Sequence, residues 1–519
     1  MKHLILVLAM YSGFAAKAQK FELSLLKNLD TLQASFIQHF TVFKDRMYYR
    51  YGFYNMYSTD GTDQGTRAFA KGKFWIARDF AVAGDNLFFV ANDPVYGEEL
   101  WISDGTDSGT RVVKDIYPGA RFSGISNLVP VGNILYFQGN DSLTGSELWR
   151  TDGTPAGTYL VRDLFPGIRS SLATPVCAYK GQLLLEARDS THAYGLYLTD
   201  GTDSGTTLLR RVIGTWVLKS KVIEYNGKLY FSGFDDESGS QVWVSDGTRP
   251  GTRLFKRINP AESSSPSSFV LYNNRLCFTA NDGKNGHEIW CTDGTESGTV
   301  MITSINPHLL SFAPRELTVF KDRLFFLAFS NISGWEVWST AIFPQSATLL
   351  KDLAPDGTPV NAKNLNVFSN RLFFIADNDK EQCQLWYSDG TENETQMVPR
   401  PAGTKGMNPL CNDNTEFKVF RNALYFPAVY NSGIFEVWRC TEAKADIGDM
   451  HIGKEFRVYP NPVSNELRFP YPVHGFVMDI SGRRLLEVNG LFCDISNLDE
   501  GMYVVRNDEG FAAMFLVER

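Results

Sequence analysis

Between residues 40 and 441 the chain repeats one pattern nine times, an aromatic strand, a short turn and a Trp-containing strand, about every 47 residues. The clearest copies read ELWISDGTDSGT from Glu99 to Thr110 and ELWRTDGTPAGT from Glu147 to Thr158. Variants follow as QVWVSDGTRPGT from Gln241, EIWCTDGTESGT from Glu288 and QLWYSDGT from Gln384. The ladder aromatic falls at Tyr57, Trp101, Trp149, Tyr197, Trp243, Trp290, Trp338, Trp386 and Trp438. Such a period, filled with short strands, is how propeller blades appear in a sequence.

Copy three, Leu128 to Gly167, shows how one repeat folds. Leu128 to Val131 and Ile134 to Phe137 are apolar runs joined by Gly132-Asn133, a two-residue hairpin signal. Other copies place Gly84-Asp85, Asn226-Gly227, Asn273-Asn274 and Ser369-Asn370 there, all tolerant of positive φ. Glu147 to Arg150 supplies a third strand and Thr158 to Leu164 a fourth, with Asp152-Gly153 opening the turn between them. Strands a to d then make one antiparallel blade. The longest connection runs from d to the next a and often carries Pro, as at Pro118, Pro166, Pro260, Pro307 and Pro355. That length suits a crossing from the outer edge of one blade to the inner strand of the next.

The two ends of the array fit each other. Copy nine supplies strands a to c, Phe417 to Arg439, and then lacks a fourth. Leu25 to Leu29 matches the d strand Leu349 to Leu353, so an N-terminal strand would complete the last blade and cover its edge. The expected fold is an all-β propeller of four-stranded blades, nine by count. Eight stays open because copy one, Phe40 to Phe69, is short and irregular.

Asp60, Asp104, Asp152, Asp200, Asp246, Asp293 and Asp389 open the c–d turns. They read as structural Asx turns rather than cation ligands, since one or two carboxylates per loop are too few for six to eight oxygens. The ladder aromatics read as packing between blades rather than as a sugar-stacking surface. The b–c loops carry N-D-x-x-x-G-x-E, as in Asn140 to Glu147 and Asn281 to Glu288. These read as hairpin loops with polar tips, with calcium or a cationic partner as the alternative. His39, His192, His287, His308, His451 and His474 are dispersed, and no H-E-x-x-H, G-x-S-x-G or Walker loop is present. No catalytic, metal or cofactor residue is therefore assigned.

Residues 1–18 read as a secretory signal: Lys2 and His3, the apolar run Leu4 to Met10, then Ala16-Lys17-Ala18 with cleavage between Ala18 and Gln19. No later segment has eighteen consecutive apolar residues, so no transmembrane helix is expected in the mature chain. The net charge of −8 is spread without a basic stripe, which disfavours nucleic acid. The seven Cys form no C-x-x-C pair. Cys277 and Cys291 fall opposite each other on one hairpin, as a disulfide or as two buried thiols.

With these residues in view, the repeats resemble the family named for its E-L-W-x-x-D-G-T motif, found in secreted and surface proteins of bacteria. Tyr197 departs from the motif Trp, while Ala341 and Thr441 replace its Asp. The resemblance implies no activity. The C-terminus is similar to a type A sorting domain of the type IX secretion system of Bacteroidota. Its marks are Val458 to Val463, Asp479 to Arg483, Asp494 to Leu498 and Gly501 to Val505, although Ala512-Ala513 stand where a lysine is usual. That resemblance implies recognition by the type IX secretion machinery, export through the periplasm, and display on the cell surface or release. By residue pattern the same stretch is a small, sandwich-like β module. Val477 to Ile480 and Met502 to Val505 are its strands, Ser481-Gly482 and Asn489-Gly490 its turns.

The expected organisation is a signal peptide (1–18), a repeat propeller (19–441), a linker (442–453) and a sorting domain (454–519). The expected function is non-enzymatic binding or adhesion, to a protein or glycan, at the cell surface or outside the cell. The alternatives are a polysaccharide-active propeller hydrolase or lyase, and a structural surface-layer component. Carboxylates and aromatics clustered at one end of the channel would favour the enzyme. The b–c loops and d–a crossovers should share one face, away from the D-G-T turns, and Trp335 on that face is the candidate contact.

Overall fold

The computed structural model describes residues 21–29, 37–52, 55–211, 222–305, 313–330, 334–341, 347–378, 383–401, 408–409, 416–430, 434–443, 465–479, 483–507 and 512–518. The expected signal and its cleavage site, the linker beyond residue 443 and the patch Val458 to Val463 lie outside these residues. Two compact units emerge, Phe21–Thr441 and a second that includes Glu442–Arg519. Among the described residues no helix is long and apolar enough to cross a membrane.

Among the described residues the first unit is a β-propeller of nine sheets, one per repeat, each with its strands in the order a–b–c–d. Copy three is typical, with Ser126–Val131, Ile134–Asn140, Ser146–Thr151 and Tyr159–Arg162. Copy one is complete as well, with Ile37–Phe43, Arg46–Tyr51, Asn55–Thr59 and Arg67–Ala68, which decides for nine blades over eight. Central b strands are apolar runs buried on both faces, such as Leu87 to Ala91 and Leu183 to Leu185. Every a–b turn has positive φ at its first central residue, and Lys180-Gly181, Asn226-Gly227, Asn273-Asn274 and Ser369-Asn370 have it at the second as well.

Closure follows from the cores. An open row of nine sheets has eight interfaces, and a ring has nine. Nine apolar clusters lie between consecutive copies, and one of them joins the last copy to the first: Phe420, Tyr425 and Val437 pack with Ile37, Tyr49 and Tyr51. The missing strand of copy nine is Phe21–Leu25, hydrogen-bonded along Ile434–Glu442. It starts four residues before the expected match, yet the register is the expected one. Leu26 N–H donates to Val437 O as Leu350 N–H donates to Val337 O, both at 2.9 Å. Lys27 Nζ then reaches Thr66 O of copy one at 3.0 Å, as Lys351 Nζ reaches Thr395 O at 2.9 Å. Phe21 and Leu23 are buried in the core between copies eight and nine.

Cys277 and Cys291 stand directly opposite and are disulfide-bonded. Cys383 is also in a disulfide.

The described part of the second unit is one antiparallel sheet in the order Arg484–Asp494, Glu466–Asp479, Gly501–Asn507, Ala512–Val517. Its core gathers Leu467, Val477, Val488, Ile495, Val505 and Phe515. Asn489-Gly490 is not the turn its sequence suggests. Both residues lie inside a strand, opposite His474 and Val473, where the register slips between Arg468 and Val473. The Gly at φ +131° accommodates that irregularity instead of reversing the chain.

Candidate functional site

Each D-G-T turn is a closed polar knot. In copy three Asp152 Oδ1 accepts from Thr154 N–H at 2.8 Å and from its hydroxyl at 2.7 Å. Gly157 N–H donates to Thr154 Oγ1 at 2.9 Å, and the Thr151 and Thr158 hydroxyls meet at 2.6 Å. Asp60, Asp104, Asp200, Asp246, Asp293 and Asp389 make the same pair of bonds to the Thr two residues on. In six of the seven, the Thr hydroxyl is the main cause holding the carboxyl below the usual carboxylate range. At Asp389 burial pushes upward, but the Thr391 bonds outweigh it. The two glycines have different reasons. Gly153 sits at φ +94°, whereas a Cβ on Gly157 would lie 2.1 Å from Asp152 Oδ1. Among the described residues no cluster of three His, Cys, Asp or Glu is placed to hold a metal.

Of the ladder aromatics, Trp101, Trp149, Tyr197, Trp243, Trp386 and Trp438 are buried, while Tyr57, Trp290 and Trp338 are half-buried. Trp149 packs into the core shared with copy two, beside Val90 and Leu100. The ladder is a set of inter-blade wedges.

The first residue of the motif has a role that its loop position in the sequence conceals. Glu147 is wholly buried; its carboxylate accepts from Leu164 N–H at 3.2 Å, Ser171 N–H at 2.7 Å and the Ser171 hydroxyl. Glu99 holds Ile116 and Tyr117 N–H at 3.0 and 2.9 Å, and Glu288 holds Ile305 N–H at 2.8 Å. The acid thus pins the crossover that follows its own blade. Burial pushes Glu99 up to about 8 and Glu147 up to about 7. Gln241 does the same work uncharged, accepting from Ile258 N–H at 2.9 Å while its amide donates to three carbonyls. The Glu/Gln alternation at this place was the available signal. It says that an acceptor is needed and a charge is not. The true loop tips are Asp141 and Asp282, each capping two N–H groups of its own loop.

The two faces separate as expected. Lys44 of an a–b turn reaches Asp104 O of a c–d turn at 2.6 Å, and Lys180 and Lys321 repeat this with Asp246 O and Asp389 O. On the other face b–c loops meet crossovers, as Glu98 N–H donates to Arg121 O at 2.9 Å. Large apolar side chains stand exposed on this loop face in adjacent copies: Val95 64%, Phe122 67%, Leu143 73% and Ile168 80%. The exposed Arg121 and Arg169 lie among them. Trp335 is a different case. It is half-buried, with the Arg315 guanidinium 3.9 Å over its ring and Phe329 edge-on at 5.8 Å. Tyr194 and Phe435 take the same place, three residues before the ladder aromatic, in copies four and nine.

A third region went unread in the sequence. The a strands of copies one, two and three and the lead into that of copy nine share a cleft of about 330 Å³ lined by His39, Phe40, Thr41, Asp79, Phe80, Asn127, Leu128 and Glu416. Only innermost strands of a closed ring converge like this, so the cleft is part of the channel wall. Asp79 is paired with Arg78, and Glu416 accepts from Phe40 N–H at 3.2 Å. Burial is the main cause lowering His39 and raising Glu416 from their ordinary values. These residues are scattered over nearly 400 positions, and only ring closure assembles them.

No protein-family profile and no curated protein matches the chain. Solved structures do. The computationally designed Ika8 protein is 15% identical over 70% of this chain and 99% of its own, with a TM-score of 0.41. BamB from Moraxella catarrhalis is 12% identical over 69% and 93%, with a TM-score of 0.39. Oligopeptidase B from Leishmania major is 10% identical over 66% of this chain and 53% of its own, with a TM-score of 0.38. Peptidases thus occur among distant neighbours, and likeness at this level decides nothing about activity.

Proposed function

We propose that the protein is an exported, non-enzymatic binding propeller that takes a partner on its loop face. The observation that carries this reading is the run of exposed apolar tips, Val95, Phe122, Leu143 and Ile168, set beside Arg121 and Arg169 on a pinned scaffold. Apolar and arginine side chains together suit a protein partner better than a neutral glycan. Export is supported by the signal-like N-terminus, the resemblance of the C-terminus to a sorting domain, and the disulfides, which belong to oxidising compartments. In this reading the type IX secretion machinery recognises the C-terminal unit, and the propeller acts at the cell surface or outside the cell.

The test is binding of the purified protein to arrays of surface proteins and glycans, with a variant changing Val95, Phe122, Leu143 and Ile168 to Ser alongside. The expected result is a protein ligand lost in the variant without a change in melting temperature. Binding that ignores the four substitutions would refute the loop face. Culture fractionation with and without residues 454–519 tests export, and retention of both forms in the cell would refute it.

A second reading, a polysaccharide hydrolase or lyase, is favoured by the gathering of His39, Asp79, Glu416, Phe40 and Phe80 in the channel cleft. Against it, both carboxylates are already engaged, Asp79 by Arg78 and Glu416 by backbone N–H. Release of reducing ends or unsaturated sugars, abolished by His39→Ala, would establish the enzyme.

A further inference from the structure

Among the described residues six a strands share one irregularity. His39, Asp79, Asn127, Ser268, Glu316 and Asn364, each four residues before the last residue of its strand, have φ between +53° and +62°. Each of these residues and the one after it is skipped by the ladder to strand b. A left-handed residue followed by an extended one turns two successive N–H groups the same way, which makes a small concavity for an anion.

The chain itself shows what these concavities hold. Glu416 accepts from both N–H groups of the copy-one bulge, Phe40 at 3.2 Å and His39. Glu316 accepts from both of the copy-eight bulge, Leu365 at 2.8 Å and Asn364. In each case the glutamate stands four residues before the last residue of the preceding copy's a strand, so a carboxylate from one blade seats in the bulge of the next.

Copy one carries His39 at that place, so the bulge formed by Asp79 and Phe80 meets an imidazole where the bulges of copies one and eight meet a carboxylate. The His39 and Phe80 rings lie 5.9 Å apart. The Asp79 carboxylate is turned to Arg78, and Arg50 adds positive charge near His39. This bulge opens into the channel cleft, with Phe80 and Leu128 as an apolar wall.

We propose that the Asp79–Phe80 bulge and His39 form a carboxylate-binding subsite in the central channel, filled by a ligand as the bulges of copies one and eight are filled by Glu416 and Glu316. The two N–H groups and the imidazole take the carboxylate, and the apolar wall takes the body that bears it. A cleft of about 330 Å³ suits a sugar acid or an acidic peptide side chain. The subsite is separate from the loop face and stands whether or not that face has a partner.

The test is calorimetric titration of the full chain with D-glucuronate, with N-acetylglutamate, and with glucose as the neutral control. The expected result is saturable binding of at least one carboxylate, roughly tenfold or more tighter than glucose. Glucuronate alone would mark the ligand as a sugar acid, acetylglutamate alone as an acidic peptide, and both as the shared carboxylate. The decisive variant is His39→Glu, which gives copy one the residue of copies seven and nine and should fill the subsite from within, weakening binding about tenfold or more. Should that variant not fold, His39→Gln serves for assignment, and the imidazole resonances of His39 in isotope-labelled wild type must shift on adding the carboxylate. Silence of both carboxylates, equal binding of glucose, unaffected binding in His39→Glu or an unmoved His39 resonance would each overturn the proposal.

Discussion

Two acids of one motif, five residues apart, live in opposite surroundings. Asp104 stands on the turn face in water, held below the usual carboxylate range by the hydroxyl and N–H of Thr106. Glu99 lies sealed beneath the loop face, raised to about 8 by burial while it pins Ile116 and Tyr117. The first shapes a turn that begins and ends within one blade. The second fastens the crossover that carries the chain to the next. Substitution tolerance follows from this. Gln replaces Glu at 241 and 384 because an acceptor oxygen suffices there, whereas the turn uses Asp in all seven copies that keep it. One face of the propeller is repeated chemistry, and the other is a pinned base from which unequal loops project.

The largest test of this contrast is at the seam, where one segment serves both faces. Lys27 reaches the turn of copy one, and Leu29 N–H donates to Glu436 at 3.3 Å. Deleting residues 21–29 removes both links and bares a strand edge along Ile434–Glu442. The expected outcome is loss of cooperative melting with aggregation, followed by calorimetry and light scattering. An unchanged melting temperature would mean that the ring does not depend on its closure.

Within one blade, Glu147→Ala against Asp152→Ala measures the two acids directly. The first strands buried N–H groups of Leu164 and Ser171 and should cost about 2–4 kcal/mol. The second exposes turn donors that water can satisfy and should cost about 1 kcal/mol. In a repeat array the larger loss can appear as opening of one blade, so hydrogen exchange of Leu164 to Ser171 belongs beside the denaturant curves. Equal costs would erase the contrast.

The two acids also titrate in opposite senses. Glu99 and Glu147, at about 8 and about 7 when folded, sit near 4.3 in an unfolded chain. The native state therefore keeps protons that the unfolded state has lost. The stability they contribute is complete below about pH 4.3 and is lost as pH rises from there to about 7 for Glu147 and about 8 for Glu99, by about 1.4 kcal/mol per pH unit for each group. The turn aspartates, lowered when folded, contribute above about pH 3.9 and lose that only as pH falls through their folded values. Glu99 Oε2 has no partner among the described residues, so an amide there can follow the example of Gln241. Glu99→Gln should match wild type near pH 4 and melt higher at pH 8.5. Parallel curves would show that the acid is not protonated in the fold.

How much of this could be read in advance depends on whether the interaction is local. The hairpin turns, the D-G-T knots and even the seam were legible, because each is set by residues within a dozen positions or by a repeat that exposes its own gap. Leu25 to Leu29 gave the register of the ninth blade from its likeness to Leu349 to Leu353. The Glu147 pin was not legible, because its partners lie 17 to 24 residues on, in a segment without a common spelling. The channel cleft was beyond reach for a stronger reason: His39, Asp79, Asn127 and Glu416 are neighbours only once nine blades have closed. Asn489-Gly490 shows the opposite error, a local turn signal overruled by the pairing of a long strand.

The smallest expected effect is also the sharpest. The turn favours Gly at its second glycine position because Asp crowds it: a Cβ on Gly157 would lie 2.1 Å from Asp152 Oδ1 and 2.2 Å from Cγ unless the carboxylate shifted. Copy eight shows the consequence, since Glu394 stands there and its N–H lies 3.4 Å from Thr391 Oγ1, against 2.9 Å for Gly157 and Thr154. Asp389 nevertheless keeps both of its Thr391 bonds, so Gly157→Ala should shift the Asp152 carboxylate only enough to lengthen the bond from the residue 157 N–H to Thr154, at a cost of about 1 kcal/mol, the usual net value of one such bond. The glycine has no reason of its own at that place, as its φ is not in the left-handed region. Once Asp152 is already Ala, the same Gly157→Ala change should be neutral or slightly stabilising, because a less flexible unfolded chain favours folding by a few tenths of a kcal/mol. A double-mutant cycle on the two positions, read by denaturant unfolding, should then give a coupling of about 1 kcal/mol. Additive costs would mean that the glycine answers to the backbone and not to the acid, and the turn face would need another explanation for its repeated spelling.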